Sequence, residues 1–232
     1  AIMKAMIFSD LITSKNAFVQ LLLVSVVICG FLAWGTGEVI AGTAAMATMA
    51  PLMYLFSIFA YDEINGWERF RLTLPLTKRQ VVYGRYVSML IVTVVSLFAA
   101  WLISMVFLAI IQGWGSFGVS TELATPESPL AILDCGLAGF VFIVVLAALT
   151  LPLLMRFGMN KVTRLLPLLV VVVVVLGSVA IGNISGGLDL TALRTFLDTH
   201  MVALAIGACV LAVVLYLASA FIAARLYQAR EL

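Results

Sequence analysis

Six long apolar runs, almost free of charge, dominate this chain at roughly residues 17–35, 39–60, 86–112, 130–155, 165–184 and 200–224. A helix needs about 20 apolar residues to cross the hydrocarbon core of a bilayer, and each run is long enough. The chain is 64% hydrophobic and only 10% charged, whereas a soluble domain carries about 25% charged residues. Such a sequence cannot supply a water-facing surface, and lipid removes the need for one. In lipid every backbone polar group must find its partner inside the protein, which favours helices. The expected fold is all-α: a polytopic membrane protein with six transmembrane helices in a single transmembrane domain, residues 1–232.

Two local features test that expectation and leave it standing. Val170 to Val175 is a β-branched stretch that suggests a buried strand in a soluble protein. Its apolar continuation on both sides favours a membrane helix. Pro51 and Pro152 fall inside spans two and four, where neighbouring groups can satisfy the carbonyls that proline frees.

The basic residues give the chain a direction. Lys4 and Lys15 precede span one. Arg69, Arg71, Lys78, Arg79 and Arg85 separate spans two and three, and Arg156, Lys161 and Arg164 separate spans four and five. Arg225 and Arg230 follow span six. Only Arg194 of the 13 basic residues falls on the other side. By the positive-inside rule the basic side is cytoplasmic, and an even number of spans puts both termini there. Glu38, Glu122, Glu127, Asp189 and Asp198 sit on the exterior side. Trp34 and Trp114 lie at outer span ends and suit an interfacial aromatic belt. Met3 reads as the native start after Ala1 and Ile2, and no cleavable signal peptide is evident.

Residues 3–15 read as a moderately amphipathic helix lying in the membrane interface. Ile7, Phe8, Leu11 and Ile12 spread over one broad face, and Ser9, Asp10, Thr13 and Ser14 lie opposite. Lys4 and Lys15 intrude on the apolar face, where long cationic side chains can snorkel.

The loop between spans two and three, residues 61–85, is the most informative stretch. Asp62 and Glu63 come first and Arg69 and Arg71 later, an order that suits a helix dipole. Ile64, Trp67, Phe70 and Leu74 recur at near-helical spacing. Gly66 weakens this helix and Pro75 ends it. Thr77-Lys78-Arg79-Gln80 then matches a capping box that starts a fresh helix. Trp67 and Phe70 are costly to expose and ask for a partner surface or the membrane interface. The shorter loop after span four contains Gly158, a residue able to end that helix, and offers a smaller second contact.

Familiar chemistry is missing. No GxxxxGK[ST] phosphate loop, HExxH or GxSxG occurs. Cys29, Cys135 and Cys209 are far apart in or beside apolar runs and read as small core residues, not metal ligands. His200 reads as an interfacial residue at the outer start of span six. No basic stripe with interleaved aromatics points to nucleic acid. Ion-coupled transporters usually hold ionisable residues deep in the bilayer. The nearest candidates, Glu38 and Asp134, both lie near the outer interface, and Asp134 reads as an acid at a helix N-terminus. A protein that moves a solute without such sites draws its energy from elsewhere.

These residues carry a family resemblance. Asp62-Glu63-Ile64-Asn65-Gly66-Trp67-Glu68, then Leu74-Pro75-Leu76-Thr77-Lys78-Arg79 and Gly84-Arg85-Tyr86, form one part. Leu151-Pro152-Leu153-Leu154-Met155-Arg156-Phe157-Gly158 forms the other. Over its whole length the chain resembles the membrane subunits of type-2 ATP-binding-cassette exporters. It looks closest to the small six-span bacterial branch of peptide-toxin exporters and lantibiotic-immunity permeases. The resemblance implies that residues 62–74 form a coupling helix docked on a separate ATPase subunit. Asp62, Glu63, Asn65, Gly66, Trp67, Glu68, Arg69 and Phe70 would be its contact residues, with Trp67 and Phe70 as apolar anchors. It also implies pairing with a second copy of the chain, ATP and Mg held by the partner ATPase, a hydrophobic or amphipathic substrate such as a peptide, and residence in the bacterial cytoplasmic membrane.

Ala41, Ala44, Ala45 and Thr48 give small-xxx-small pairs in span two that offer a packing face for the second copy. The competing readings are a self-contained ion-coupled or facilitative transporter, a membrane scaffold and an intramembrane enzyme. The last requires a Ser, Asp, His or Cys constellation at depth, and none stands out.

Overall fold

The computed structural model describes residues 2–36, 39–65, 77–115, 129–158, 171, 175 and 190–228. Five helices account for nearly all of them: α1 (Ile2–Thr36), α2 (Ile40–Asn65), α3 (Lys78–Gly115), α4 (Pro129–Phe157) and α5 (Leu190–Gln228). No strand occurs among the described residues. The protein is an all-α polytopic membrane protein. Helices α2 to α5 are each long and apolar enough to span, and α1 makes a fifth candidate if its bent halves are taken as one span. The bend, 55°, lies between Ile7–Thr13 and Phe18–Leu32. Of the expected span at 165–184 only residues 171 and 175 are described.

Helix ends follow local chemistry. Thr77 and Gln80 form the expected capping box: the Thr77 amide donates to Gln80 Oε1 at 3.1 Å, and the Gln80 amide donates to Thr77 Oγ1 at 3.3 Å. Helix α3 therefore begins well before its apolar run. At the other extreme, Gly158 ends α4 at φ +77°, with its amide donating to the Leu154 carbonyl at 3.0 Å. A side chain at that φ would be strained, so glycine suits the position. Asn65 closes α2 by donating from Nδ2 to the Tyr61 carbonyl at 2.9 Å.

Each central helix turns one face inward every three to four residues. On α2 that face runs Gly42, Met46, Ala50, Tyr54, Ile58 and Asp62; on α4 it runs Ile132, Gly136, Phe140, Ile143, Ala147, Leu151 and Leu154. On α5 it runs Ala212, Tyr216, Ala220, Ala223 and Tyr227. Helix α2 contacts α1, α3 and α4, while α5 packs on α4 and α3.

Small residues set the closest crossings. A Cβ on Gly42 would fall 2.5 Å from Cys29 Sγ, so α1 and α2 meet there almost backbone to backbone. A Cβ on Gly139 of α4 would meet Ala47, Thr48 and the Ala44 carbonyl at 3.2–3.4 Å. The small pair Ala44 and Thr48 is thus occupied by α4 of the same chain. Near the same end, Thr43 Oγ1 and Ser104 Oγ hydrogen-bond at 2.6 Å, joining α2 to α3 with both residues fully buried.

The outward faces are apolar. Val19, Leu23, Val27 and Phe31 of α1 and Val210, Val214, Leu217 and Phe221 of α5 are all more than half exposed. In water such surfaces would drive aggregation; in a bilayer they are solvated by lipid.

Candidate functional site at the basic end of the bundle

Side-chain contacts place the first turns of α1, the end of α2, the start of α3 and the ends of α4 and α5 at one end of the bundle. This end carries Lys78, Arg79, Arg85, Arg156 and Arg225. It also carries the two helix ends that flank residues 66–76.

The eight expected contact residues divide in two. Asp62, Glu63 and Asn65 belong to the last turn of α2, which continues past the expected end of span two. Glu63 and Asn65 are exposed, as are Tyr61 and Ile64, the latter at 82%. Asp62 instead points inward and is 8% exposed, ion-paired with Arg85. Gly66, Trp67, Glu68, Arg69 and Phe70 lie outside the described residues.

Arg85 is the centre of the stem. It sits two turns inside α3 and is 2% exposed. Its Nη2 donates to Asp62 Oδ2 of α2, and its Nε lies 3.5 Å from Asp10 Oδ2 of α1. The guanidinium also covers the Phe59 ring at 5.1 Å from its centroid. A planar guanidinium with several fixed donors can serve two carboxylates and an aromatic face at once, which a lysine cannot. Asp10 itself is 5% exposed. This corrects its expected place on the outer, polar face of the N-terminal helix: its charge is used inward, while Phe8 and Ile12 are exposed instead. A cavity of about 10 Å³ beside Arg85, lined also by Tyr54, Phe59 and Ser88, has room for about one water and none for a substrate.

The next residue serves the other side of the bundle. Tyr86 and Tyr216 of α5 stack at 4.9 Å, tilted by 53°, and the Tyr216 hydroxyl donates to the Tyr86 carbonyl at 2.8 Å. The Tyr86 hydroxyl lies 2.9 Å from Ser219 Oγ. Ser219 Oγ in turn donates to the Ala148 carbonyl of α4. That assigns the first proton, because a serine hydroxyl has one hydrogen to give: Tyr86 donates to Ser219. Ala148 is four residues before Pro152, and a proline nitrogen has no hydrogen for the carbonyl four residues back. Ser219 therefore supplies the donor that Pro152 withholds.

In the sequence Arg85 reads as the last base of the 61–85 loop, and Ser219 stands in no motif. For Arg85 a signal existed. The capping box at Thr77 places Arg85 within a helix, on the same face as Val82, Met89 and Val92, all of them buried. For Ser219 no local signal distinguishes it from other serines in apolar helices, because its partner is 71 residues away. The two acids nearest to mid-span in the sequence are Glu38 and Asp134. Glu38 lies outside the described residues, and Asp134 is half-buried in the second turn of α4. Among the described residues no three His, Cys, Asp or Glu side chains gather as a metal site would need.

Residues 5–228 fit the family model described as ABC-2 family transporter protein. No curated protein and no solved structure matches the chain.

Proposed function

This chain belongs to the ABC-2 transporter family, and we propose that it is the permease subunit of an ATP-driven exporter worked by a separate ATPase. The observation that carries the reading is the family match, which covers residues 5–228. An ABC-2 permease is a membrane component without an ATPase domain of its own, so the energy must arrive through a contact at a membrane surface. The basic end of the bundle suits that contact. Residues 66–76 are strung between two fixed stems: the last turn of α2, tied to Arg85 through Asp62, and the capped first turn of α3. A loop held at both ends can transmit a push, whereas a free tether cannot.

In this reading residues 62–74 are the coupling segment, with Trp67 and Phe70 as its apolar anchors and Glu63, Asn65, Gly66, Glu68 and Arg69 among its contacts. Asp62 acts from behind, as the residue that fixes the stem. ATP and Mg reside on the partner ATPase. Two copies of the chain pair, and the substrate is hydrophobic or amphipathic, a peptide of the kind handled by the small six-span bacterial exporters. The basic end faces the cytoplasm of a bacterial cell, with both termini inside.

A tagged pull-down from native-like membranes, with the retained proteins identified and assayed for ATP hydrolysis, tests this. A stoichiometric ATPase is the expected result. A chain that purifies alone, under conditions that preserve comparable complexes, overturns the reading in favour of a self-contained transporter or a scaffold.

A further inference from the structure

Arg85 and Tyr86 are adjacent on α3, and between them they reach every other described helix. Arg85 holds α1 through Asp10 and α2 through Asp62 and Phe59. Tyr86 holds α5 through Ser219 and Tyr216, and through Ser219 it reaches the Ala148 carbonyl of α4. We infer that this dipeptide is a junction that carries displacement from the α2–α3 stem to α4 at Pro152, so that the basic ends of α2, α4 and α5 shift as one block.

The physical argument rests on what each partner loses. If the base of α3 moves with the loop, Tyr86 moves too and pulls on Ser219. Should Ser219 leave Ala148, the carbonyl that Pro152 has already deprived of its helical donor is stranded in an apolar surrounding, where no water replaces the bond. The cheaper path is for α4 and α5 to follow. On the other side, Arg85 cannot leave Asp62 and Asp10 without separating buried charges of opposite sign. Both arms resist stretching, and they meet on consecutive residues of one rigid helix. The role of the junction in coupling rests on the proposed function; its existence as a mechanical unit does not.

The test is backbone amide exchange on the full chain in lipid nanodiscs, comparing wild type with Ser219→Ala, Ser219→Thr and Asp62→Asn. Ser219 touches neither α1 nor α2 in the contacts above. Ser219→Ala is nevertheless expected to speed exchange roughly tenfold in residues 58–65 and 8–13, as well as in α4 beyond Ala148. Ser219→Thr keeps the hydroxyl and is expected to restore protection at all three places. Asp62→Asn is expected to act in the opposite direction along the same line, loosening residues 149–157. Changes confined to the direct partners of each substituted residue overturn the inference. So does a uniform rise that includes residues 40–50 and 100–110, because that is general loosening and not transmission. Absence of a co-purifying ATPase would remove the proposed function, yet these exchange patterns are read on the chain itself and decide the junction either way.

Discussion

Ser219 of α5 donates its hydroxyl proton to the carbonyl of Ala148 in α4, the acceptor that Pro152 leaves without a helical partner. One helix thus repairs a break in another. The same hydroxyl accepts from Tyr86, so removing it orphans two groups in one step.

Ser219→Ala is therefore expected to destabilise the protein by about 1–2 kcal/mol, at the upper end of hydrogen bonds measured in membrane helices. Thermal unfolding in mild detergent measures it. The cause has its own signature. Pro152→Ala returns an N–H to the Ala148 carbonyl, so Ser219→Ala should cost less in that background. An unchanged cost would mean that the Ala148 bond contributes nothing.

Arg85 is expected to be the least replaceable residue at the basic end. Arg85→Leu removes the guanidinium from two buried carboxylates, Asp10 and Asp62, and should cost roughly 3–5 kcal/mol, seen as loss of folded protein after detergent extraction. Arg85→Lys should fall between, because a single ammonium cannot reach both carboxylates in the guanidinium's geometry. Asp62→Asn combined with Arg85→Leu should recover part of the loss. If Arg85→Leu melts like the wild type, the ion pairs are not structural.

Much of this molecule was legible before its structure, for reasons tied to range. The capping box at Thr77 and Gln80 and the glycine stop at Gly158 are made by residues within four positions of each other, and the sequence displays them completely. The apolar runs reveal membrane helices because lipid imposes composition directly. What stayed hidden depends on which distant group a side chain meets. Asp10 looks like a solvated acid on an amphipathic helix until α3 brings Arg85 beside it. Ala44 and Thr48 looked available to a second copy because the sequence does not reveal that Gly139 lets α4 approach them. Trp67 and Phe70, the anchors of the expected coupling segment, lie outside the described residues, so their role still rests on the residues themselves.

Glycine substitutions separate close crossings from lipid-facing positions. Gly42→Ala would put a Cβ 2.5 Å from Cys29 Sγ and 3.1 Å from its Cα. The first contact can relax by a rotamer change, whereas the second requires the helices to part. We expect a loss of about 1–3 kcal/mol, only partly recovered by Cys29→Ala. Gly207 of α5 has nothing within 4 Å of an added Cβ. Gly207→Ala should be neutral or stabilising by up to about 1 kcal/mol, through helix propensity alone. The pair measured side by side in one detergent checks the α1–α2 crossing; equal melting temperatures would contradict it.

Trp67→Ala together with Phe70→Ala should separate docking from folding. Two aromatic side chains on a charged loop are strong candidates for the few residues that carry most of an interface's energy. In the proposed reading both side chains face the ATPase, so the double variant should keep its helical content and thermal midpoint. Co-purified ATPase should fall by about tenfold or more, since each such anchor commonly contributes about 2 kcal/mol or more. Glu63→Ala, an exposed charge on the neighbouring stem, should reduce it far less, because rim charges contribute little. Circular dichroism and quantified pull-down on the same preparations give both readings. Full ATPase recovery with the double variant would move the docking surface elsewhere on the basic end, with the turn of α4 at Arg156 and Phe157 next in line.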